Sequence, residues 1–298
     1  MSERVCAVVI TYNRKVLLRE CLVAVQAQLR DQDEILVVDN ASTDGTLQLL
    51  NEEFSHVRRL TLPKNVGSSG GLYEGMKWAY EQGFDWFWLT DDDGHPAPGC
   101  LEKLLEHCRP NAVIVPLQQD SKGRLYGIAK WQRRSIDATA EVLAQKQPVV
   151  GGFLFTWVGP LISRTVVVQA GYPNKDFFIW FDDYEYSLRV LSKGVQIVVV
   201  PDARFFHDMG ENARVVHFLG RRSIRSDFPP WKLYYGIRNP LYTLLRTRRD
   251  PRELLLFLLV HLRLLLMDIA YGPARWERVR QRLLGFRDGV IGRLGKQV

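Results

Sequence analysis

Short runs of β-branched and apolar residues alternate with helix-patterned stretches through the first 120 residues, and this alternation limits the fold more than any other feature. Repeated strand–helix–strand units set their strands side by side in a largely parallel sheet, with helices covering its faces. The pattern predicts strands at 5–11, 35–39, 57–62, 86–90 and 112–115, and helices at 15–29, 43–54, 70–82 and 98–108. That is a Rossmann-like half. Ligands of open parallel sheets bind beyond the carboxyl ends of the strands. Residues 11–14, 39–44 and 91–94 occupy such ends, so three polar loops are expected to build one site.

Beyond about residue 120 the alternation weakens, and glycine, proline and aromatic residues become frequent, as in GGFLFTWVGP and GYPNKDFFIWFDDYEYSLRVLSKG. A second half of this kind shapes the acceptor side of a site built on an α/β core. The expected organisation is a domain over 1–240, divided into a nucleotide-binding half (1–120) and an acceptor half (121–240), followed by a helical segment over 241–298. Arginines crowd the chain after His207 and interleave with an apolar helix from Leu254, which reads as amphipathic helices. Such helices suit a membrane surface, a helical layer packed on the core, or a second subunit of a homo-oligomer.

Bulk properties narrow the function classes. The chain has 298 residues, 46% hydrophobic and 24% charged, which excludes a disordered chain. A net charge of +7 suggests an anionic partner, with no recognition motif for nucleic acid. Four cysteines without a CxxC pair indicate neither a zinc site nor a disulfide scaffold. MSERVCAVVITYN lacks the pattern of a secretory signal, so the chain is expected in the cytoplasm. The apolar stretch 254–270 is interrupted by His261, Arg263 and Asp268 and is expected not to cross a bilayer.

Asp91, Asp92 and Asp93 follow the apolar strand WFWL. Adjacent like charges repel unless a cation neutralises them, and oxygen ligands suit Mg²⁺ or Mn²⁺ bridging to phosphate. The plainer reading is a solvated acidic turn ended by Gly94. Asp39 and Asn40 close the strand ILVVD, where an acidic group can accept hydrogen bonds from a base or ribose, and Asp44 is placed to cap the next helix. In KNVGSSGGLYEG, Gly70 and Gly71 let backbone amides approach a ligand. Asp182 and Asp183 precede a helix and follow Phe177, Phe178, Trp180 and Phe181; they are either N-caps or a general base beside a sugar-stacking wall. His207 follows a long strand and would complete an Asp/Asp/His metal shell, with His95 as a competitor.

In order along the chain, VVITYNR, VVDNASTDGT, KNVGSSGGLYEG, WLTDDDGH, FIWFDDYEYSLR, FHDMG and KLYYGIRN resemble family 2 glycosyltransferases of the GT-A fold. The resemblance is closest to bacterial galactofuranosyltransferases and related rhamnosyltransferases, and it covers about the first 240 residues. It implies an α/β GT-A fold with C-terminal amphipathic helices. It implies donor contacts by Thr11, Asp39, Asn40, Asn65, Gly70, Gly71 and Asp92, and a Mn²⁺ or Mg²⁺ ion on Asp91, Asp93 and His207. Asp183 falls on the family's base, with Asp182 as the alternative, and Trp180 and Asp182 fall on the acceptor side. Tyr235, Arg238 and Asn239 belong to the last block, for which the resemblance specifies no role.

The implied reaction is inverting transfer of galactofuranose from UDP-galactofuranose to a hydroxyl of a lipid-linked cell-surface glycan, by a peripheral protein at the inner face of the cytoplasmic membrane. The alternative donor is dTDP-rhamnose. A sugar nucleotidyltransferase and a non-catalytic scaffold are the competing classes; the first lacks its basic glycine-rich signature near the N-terminus, and the second is opposed by the joint presence of metal ligands and base.

Overall fold

The computed structural model describes residues 3–131, 135–208, 213–218, 221–226, 228–271 and 274–297. The chain divides into two compact units, one of residues 1–175 and 186–208, the other of residues 176–185 and 209–298.

In the first unit β1 (Val5–Thr11), β2 (Glu34–Asp39), β3 (Arg58–Thr61) and β4 (Trp86–Asp91) run parallel in the order β4-β1-β2-β3. Their crossovers are α1 (Lys15–Gln26), α2 (Thr46–Glu52) and α3 (Gly67–Glu81). Alternate residues of the strands serve two cores. Cys6, Val8, Ile10, Leu36 and Val38 pack on one side, and Val5, Ala7, Val9, Ile35 and Val37 on the other. Burial on both faces explains why these strands read as continuous apolar runs.

The chain then adds β5 (Gly94–Pro96), α4 (Cys100–Leu105), β6 (Ala112–Gln119), β7 (Leu125–Tyr126), β8 (Ala129–Trp131), β9 (Ser135–Asp137) and α5 (Thr139–Gln145). After these come β10 (Val149–Gly151), β11 (Phe153–Leu154), β12 (Leu161–Ser163), α6 (Arg164–Ala170), α7 (Asp182–Ser192) and β13 (Gln196–His207). The main sheet has the order β10-β13-β6-β12-β4-β1-β2-β3, with β5 on β13 and β7 on β6. Strand β12 is antiparallel to both neighbours, so the sheet is mixed. Strands β11, β8 and β9 form a small separate sheet.

Among the described residues, the second unit contains the antiparallel pair β14 (Ala213–Phe218) and β15 (Arg221–Ser226) and the helices α8 (Pro230–Thr243), α9 (Pro251–Tyr271) and α10 (Arg275–Ile291), with a helical turn at Leu244–Arg248. The expected boundary at 240 falls inside α8. Helix α10 meets α8 through glycines: a Cβ on Gly285 would lie 2.4 Å from the Tyr234 carbonyl oxygen, and one on Gly289 would lie 3.0 Å from that of Arg238. Buried Asp268 of α9 takes Arg278 at 2.7 Å and Arg282 at 2.5 Å from α10.

One expectation needs correction. The stretch read as too interrupted to cross a bilayer is a single helix of 21 residues, long and apolar enough by length and composition to do so. The charge of Asp268 does not face outward, because α10 neutralises it. All four cysteines are free, and Cys6, Cys21 and Cys100 are buried.

Candidate active site

The ends of three parallel strands meet in the first unit. Thr11 pairs with Asp39 in register, and Ile10 with Asp91, so β1, β2 and β4 stop together. Side chains tie the loops that follow. Thr11 Oγ1 donates to Asp92 Oδ2 at 2.6 Å, and Asn13 Oδ1 accepts from the Thr43 amide at 2.7 Å. Asp44 accepts from the amide of Lys15, which begins α1, at 2.9 Å and from that of Thr46, which begins α2, at 3.1 Å. The expected cap on one helix therefore caps two.

The cation expected beside the aspartates is partly supplied by the protein. Arg14 Nη1 bridges Asp92 Oδ1 at 3.2 Å and Asp93 Oδ2. Burial disfavours the arginine's charge, but Asp93 and Asp92 outweigh it and hold the guanidinium above its ordinary pKa. Asp92, 3% exposed, is pushed up to about 6 by burial, against the opposing pull of Thr11 and Arg14. Sequence reasoning placed residue 14 in a site loop but missed its pairing with Asp92 and Asp93.

The nucleotide-side candidates are buried and mutually braced. Asp39 Oδ1 accepts from the Ser42 amide at 3.0 Å, while its Oδ2 is buried without a hydrogen-bond partner. Asn40 holds the start of α3, accepting from the Val66 amide at 3.3 Å, and Asn65 Oδ1 accepts from the Gly67 amide at 2.8 Å. Helix α3 consequently begins at Gly67, before the expected Gly70. A Cβ on Gly71 would lie 2.7 Å from Ile10 Cγ2 and 3.0 Å from Asn40 Nδ2, so this glycine lets the helix close on β1 and on Asn40.

His207 reaches the cluster through sheet pairing. Asp92 and Asp93 turn into β5, which pairs antiparallel with β13 so that Gly94 faces His207 and His95 faces Phe206. His207 Nε2 lies 3.6 Å from Asp93 Oδ1, a buried oxygen with no hydrogen-bond partner. Burial lowers the His207 pKa despite the opposing effect of Asp93, which favours neutral imidazole. His95 instead packs its ring on Phe206, centroids 5.2 Å apart. Tyr126, also missed in the sequence, places its hydroxyl 2.7 Å from His207 Nδ1 and 2.6 Å from the His207 carbonyl oxygen. Met209 and Gly210 of the FHDMG block lie outside the described residues.

The structure thus brings Asp93 and His207 together but not Asp91 with them: among the described residues no three His, Cys, Asp or Glu side chains form a ready metal cluster. A carboxylate oxygen lacking a partner beside a neutral imidazole is nevertheless a donor set that suits a divalent cation such as Mn²⁺.

In the second unit Asp182 and Asp183 stand in the first turn of α7, where the helix N-terminus favours negative charge. Asp183 accepts from the Tyr184 amide at 2.7 Å, and burial together with neighbouring Asp182 raises its carboxyl well above the usual carboxylate range. The preceding loop carries positive φ at Phe178, Trp180 and Phe181, a conformation costly for aromatic residues. Arg238 and Asn239 hold it. Asn239 Nδ2 contacts the carbonyl oxygens of Phe177, Ile179 and Trp180 at 3.1, 2.9 and 2.7 Å, and Arg238 Nη2 donates to those of Asp176 and Phe177 at 3.1 and 2.7 Å. This gives the KLYYGIRN block a job that its letters did not reveal. Trp180 packs edge-on against Phe228 at 4.7 Å and lines a cavity of about 250 Å³ with Leu233, Ile237, His261 and Leu264.

Comparison with known proteins shows which sequences and folds the chain is similar to. The sequence profile described as Glycosyl transferase family 2 matches residues 6–156, just over half of the 298 residues. The chain is similar to galactofuranosyltransferase GlfT1 of Mycobacterium tuberculosis, 28% identical with 97% of each chain covered. It is also similar to dTDP-rhamnosyl transferase RfbF of Shigella flexneri, 26% identical over 99% of this chain and 98% of the relative. Among solved structures, the mannosyltransferase PcManGT from Pyrobaculum calidifontis, in complex with GDP-Man and Mn²⁺, shares the fold with a TM-score of 0.60 at 15% identity, over 98% of this chain and 88% of that one.

Proposed function

The chain belongs to glycosyl transferase family 2, and from that premise we propose that it moves galactofuranose from UDP-galactofuranose to a hydroxyl of a lipid-linked cell-surface glycan, with inversion at the anomeric carbon. The observation that carries the donor side is a pair of buried carboxylate oxygens, Asp39 Oδ2 and Asp93 Oδ1, left without hydrogen-bond partners at the strand ends. Buried oxygens of this kind cost roughly 1–3 kcal/mol each unless something binds them. A ribose or base at Asp39 and a divalent cation at Asp93 would satisfy both.

Asp93, His207 and Asp91 are the proposed metal ligands, with Mn²⁺ or Mg²⁺ supplying charge neutralisation to the departing diphosphate. Asp39, Asn40, Asn65, Gly70 and Gly71 frame the nucleotide, Asp92 meets ribose or sugar, and Thr11 acts by orienting Asp92. Asp183 takes the acceptor proton, with Asp182 as the alternative base, and Trp180 and Asp182 contact the acceptor. The acceptor oxygen bonds to the anomeric carbon as the bond from that carbon to the diphosphate breaks, and the acceptor proton leaves on the carboxylate.

The named activity of the GlfT1 relative supports the furanose donor, and that of RfbF supports dTDP-rhamnose as the second reading. Peripheral attachment to a membrane is supported by α9, whose Leu255, Leu256, Leu258, Leu259, Leu262 and Leu266 are exposed. Glu253 and Asp268 of the same helix are turned inward and paired with arginines. Loss of vesicle sedimentation when Leu255, Leu259 and Leu262 become glutamine tests that attachment; retention refutes it.

A donor screen for nucleoside diphosphate release tests the whole reading, with Mn²⁺ or EDTA and a lipid-linked acceptor mimic. Metal-dependent UDP release from UDP-galactofuranose is expected. Release from dTDP-rhamnose alone would replace the donor, and silence with every donor, in a protein that binds none, would overturn the enzyme reading.

A further inference from the structure

Tyr126 is tied to His207 twice, and the arithmetic of protons makes that pair of contacts informative. The phenol has one proton. The His207 carbonyl oxygen, 2.6 Å away, can only accept, so the phenol proton goes there. The phenol oxygen then accepts from Nδ1–H of the same residue at 2.7 Å. A neutral imidazole with its proton on Nδ1 has its lone pair on Nε2, the atom that lies 3.6 Å from Asp93 Oδ1.

Two electron-rich atoms facing each other, one of them buried and without a hydrogen-bond partner, are poorly placed unless a cation sits with them. The alternative tautomer would let Nε2–H point at the carboxylate and quench it as a ligand.

The support under Tyr126 is itself fixed. Strand β7 pairs with β6 through Gln118 and Tyr126, and β6 continues alongside β13 as far as Gln119 and Phe206. The turn between β6 and β7 is held by Asp120, which accepts from the amides of Lys122 and Arg124 at 3.1 and 2.8 Å and pairs with the Arg124 side chain. Gly127, with φ of +98°, follows directly, and any Cβ there would strike Gln118.

We propose that Tyr126 is a positioning residue for the metal site, selecting the Nδ1–H tautomer of His207 and so presenting Nε2 to a divalent cation shared with Asp93. The proposal rests on the reading of His207 as a ligand, and its test separates the two. Partners of this kind on ligand histidines are worth about 10- to 100-fold in metal affinity.

Mn²⁺ binding to the full-length protein, followed by electron paramagnetic resonance, is compared for wild type, Tyr126→Phe and His207→Ala. The ¹⁵N resonances of His207 report its tautomer in the metal-free protein at a pH where imidazole is neutral. Expected are an Nδ1–H signature in wild type, its loss in Y126F, and about 10- to 100-fold weaker Mn²⁺ binding in Y126F at a temperature where both proteins remain folded. Full Mn²⁺ affinity in Y126F combined with its loss in H207A would overturn the role of Tyr126 alone. Full affinity in H207A would overturn the ligand reading and the proposal with it, and an Nε2–H signature in wild type would overturn the tautomer argument directly.

Discussion

Asn239→Ala is the sharpest perturbation of the second unit. The side chain is fully buried, and its Nδ2 serves three carbonyl oxygens with two hydrogens, so at least one hydrogen is shared among Phe177, Ile179 and Trp180. Its Oδ1 also accepts from Arg238 Nε at 2.8 Å. Alanine removes all of these contacts. At about 1 kcal/mol per net hydrogen bond the loss is about 3–4 kcal/mol, and each carbonyl that stays buried without a donor adds to it. The loop between Phe177 and Phe181 should suffer first, because its positive-φ residues have no intrinsic preference for that shape. Urea unfolding gives the global value, and hydrogen exchange over residues 176–185 gives the local one. Asn239→Asp keeps the acceptor for Arg238 but has no donor for the carbonyls, so it should be destabilised at least as much. If Asn239→Ala lies within 0.5 kcal/mol of wild type, or if aspartate is tolerated, the clamp does not hold the loop.

Four further outcomes follow from the same geometry. Because burial and Asp182 raise the Asp183 carboxyl, the proposed base ionises only above the ordinary carboxylate range; kcat/KM should therefore rise with pH through that raised value, and an acid limb near 4 would contradict the proposed role. Asp268→Asn leaves buried Arg278 and Arg282 short of their carboxylate and should cost about 3–5 kcal/mol in thermal unfolding. Arg14→Ala removes the guanidinium that favours ionised Asp92, so metal-free stability should fall at neutral pH by no more than about 1 kcal/mol, since Arg14 is half-exposed, and should match wild type where Asp92 is protonated in both states. Gly75→Ala would bring a Cβ within 2.4 Å of Val8 Cγ1, costing about 1–3 kcal/mol, and Val8→Ala in the same chain should recover part of it.

Local pattern carried most of the parallel half. Strand β1 ends where its apolar run ends, and the aspartates follow β4 because a strand buried on both faces has to meet water somewhere. Boundaries shifted where side chains, rather than periodicity, decide the first turn. Asp44 caps the amide of Thr46 and delays α2 from the expected residue 43, whereas Asn65 and Asn40 brace Gly67 and advance α3. Helix α4 starts only at Cys100 because Gly99, at φ of +74°, breaks the run that Pro98 opened. In α9, the sequence displays the charge of Asp268 but not its cancellation by α10.

The site was legible to the degree that its chemistry is local. Three adjacent carboxylates advertise a need for positive charge wherever they sit, but nothing in DDDG says that Arg14, 79 residues earlier than Asp93, meets part of it. That contact exists because β1 and β4 are neighbours in the sheet. The approach of His207 to Asp93 likewise depends on β5 pairing with β13, and the tie from Tyr126 on β7 pairing with β6. Two of these pairings each occupy one atom, Arg14 taking Asp93 Oδ2 and Tyr126 taking His207 Nδ1, and the third brings the two remaining atoms, Oδ1 and Nε2, to 3.6 Å. If Asp93 and His207 hold a cation as proposed, the groups that occupy their other atoms define the site as much as the ligands do. Residue types along the chain single out the proposed ligands, and only the order of strands in the sheet identifies their partners.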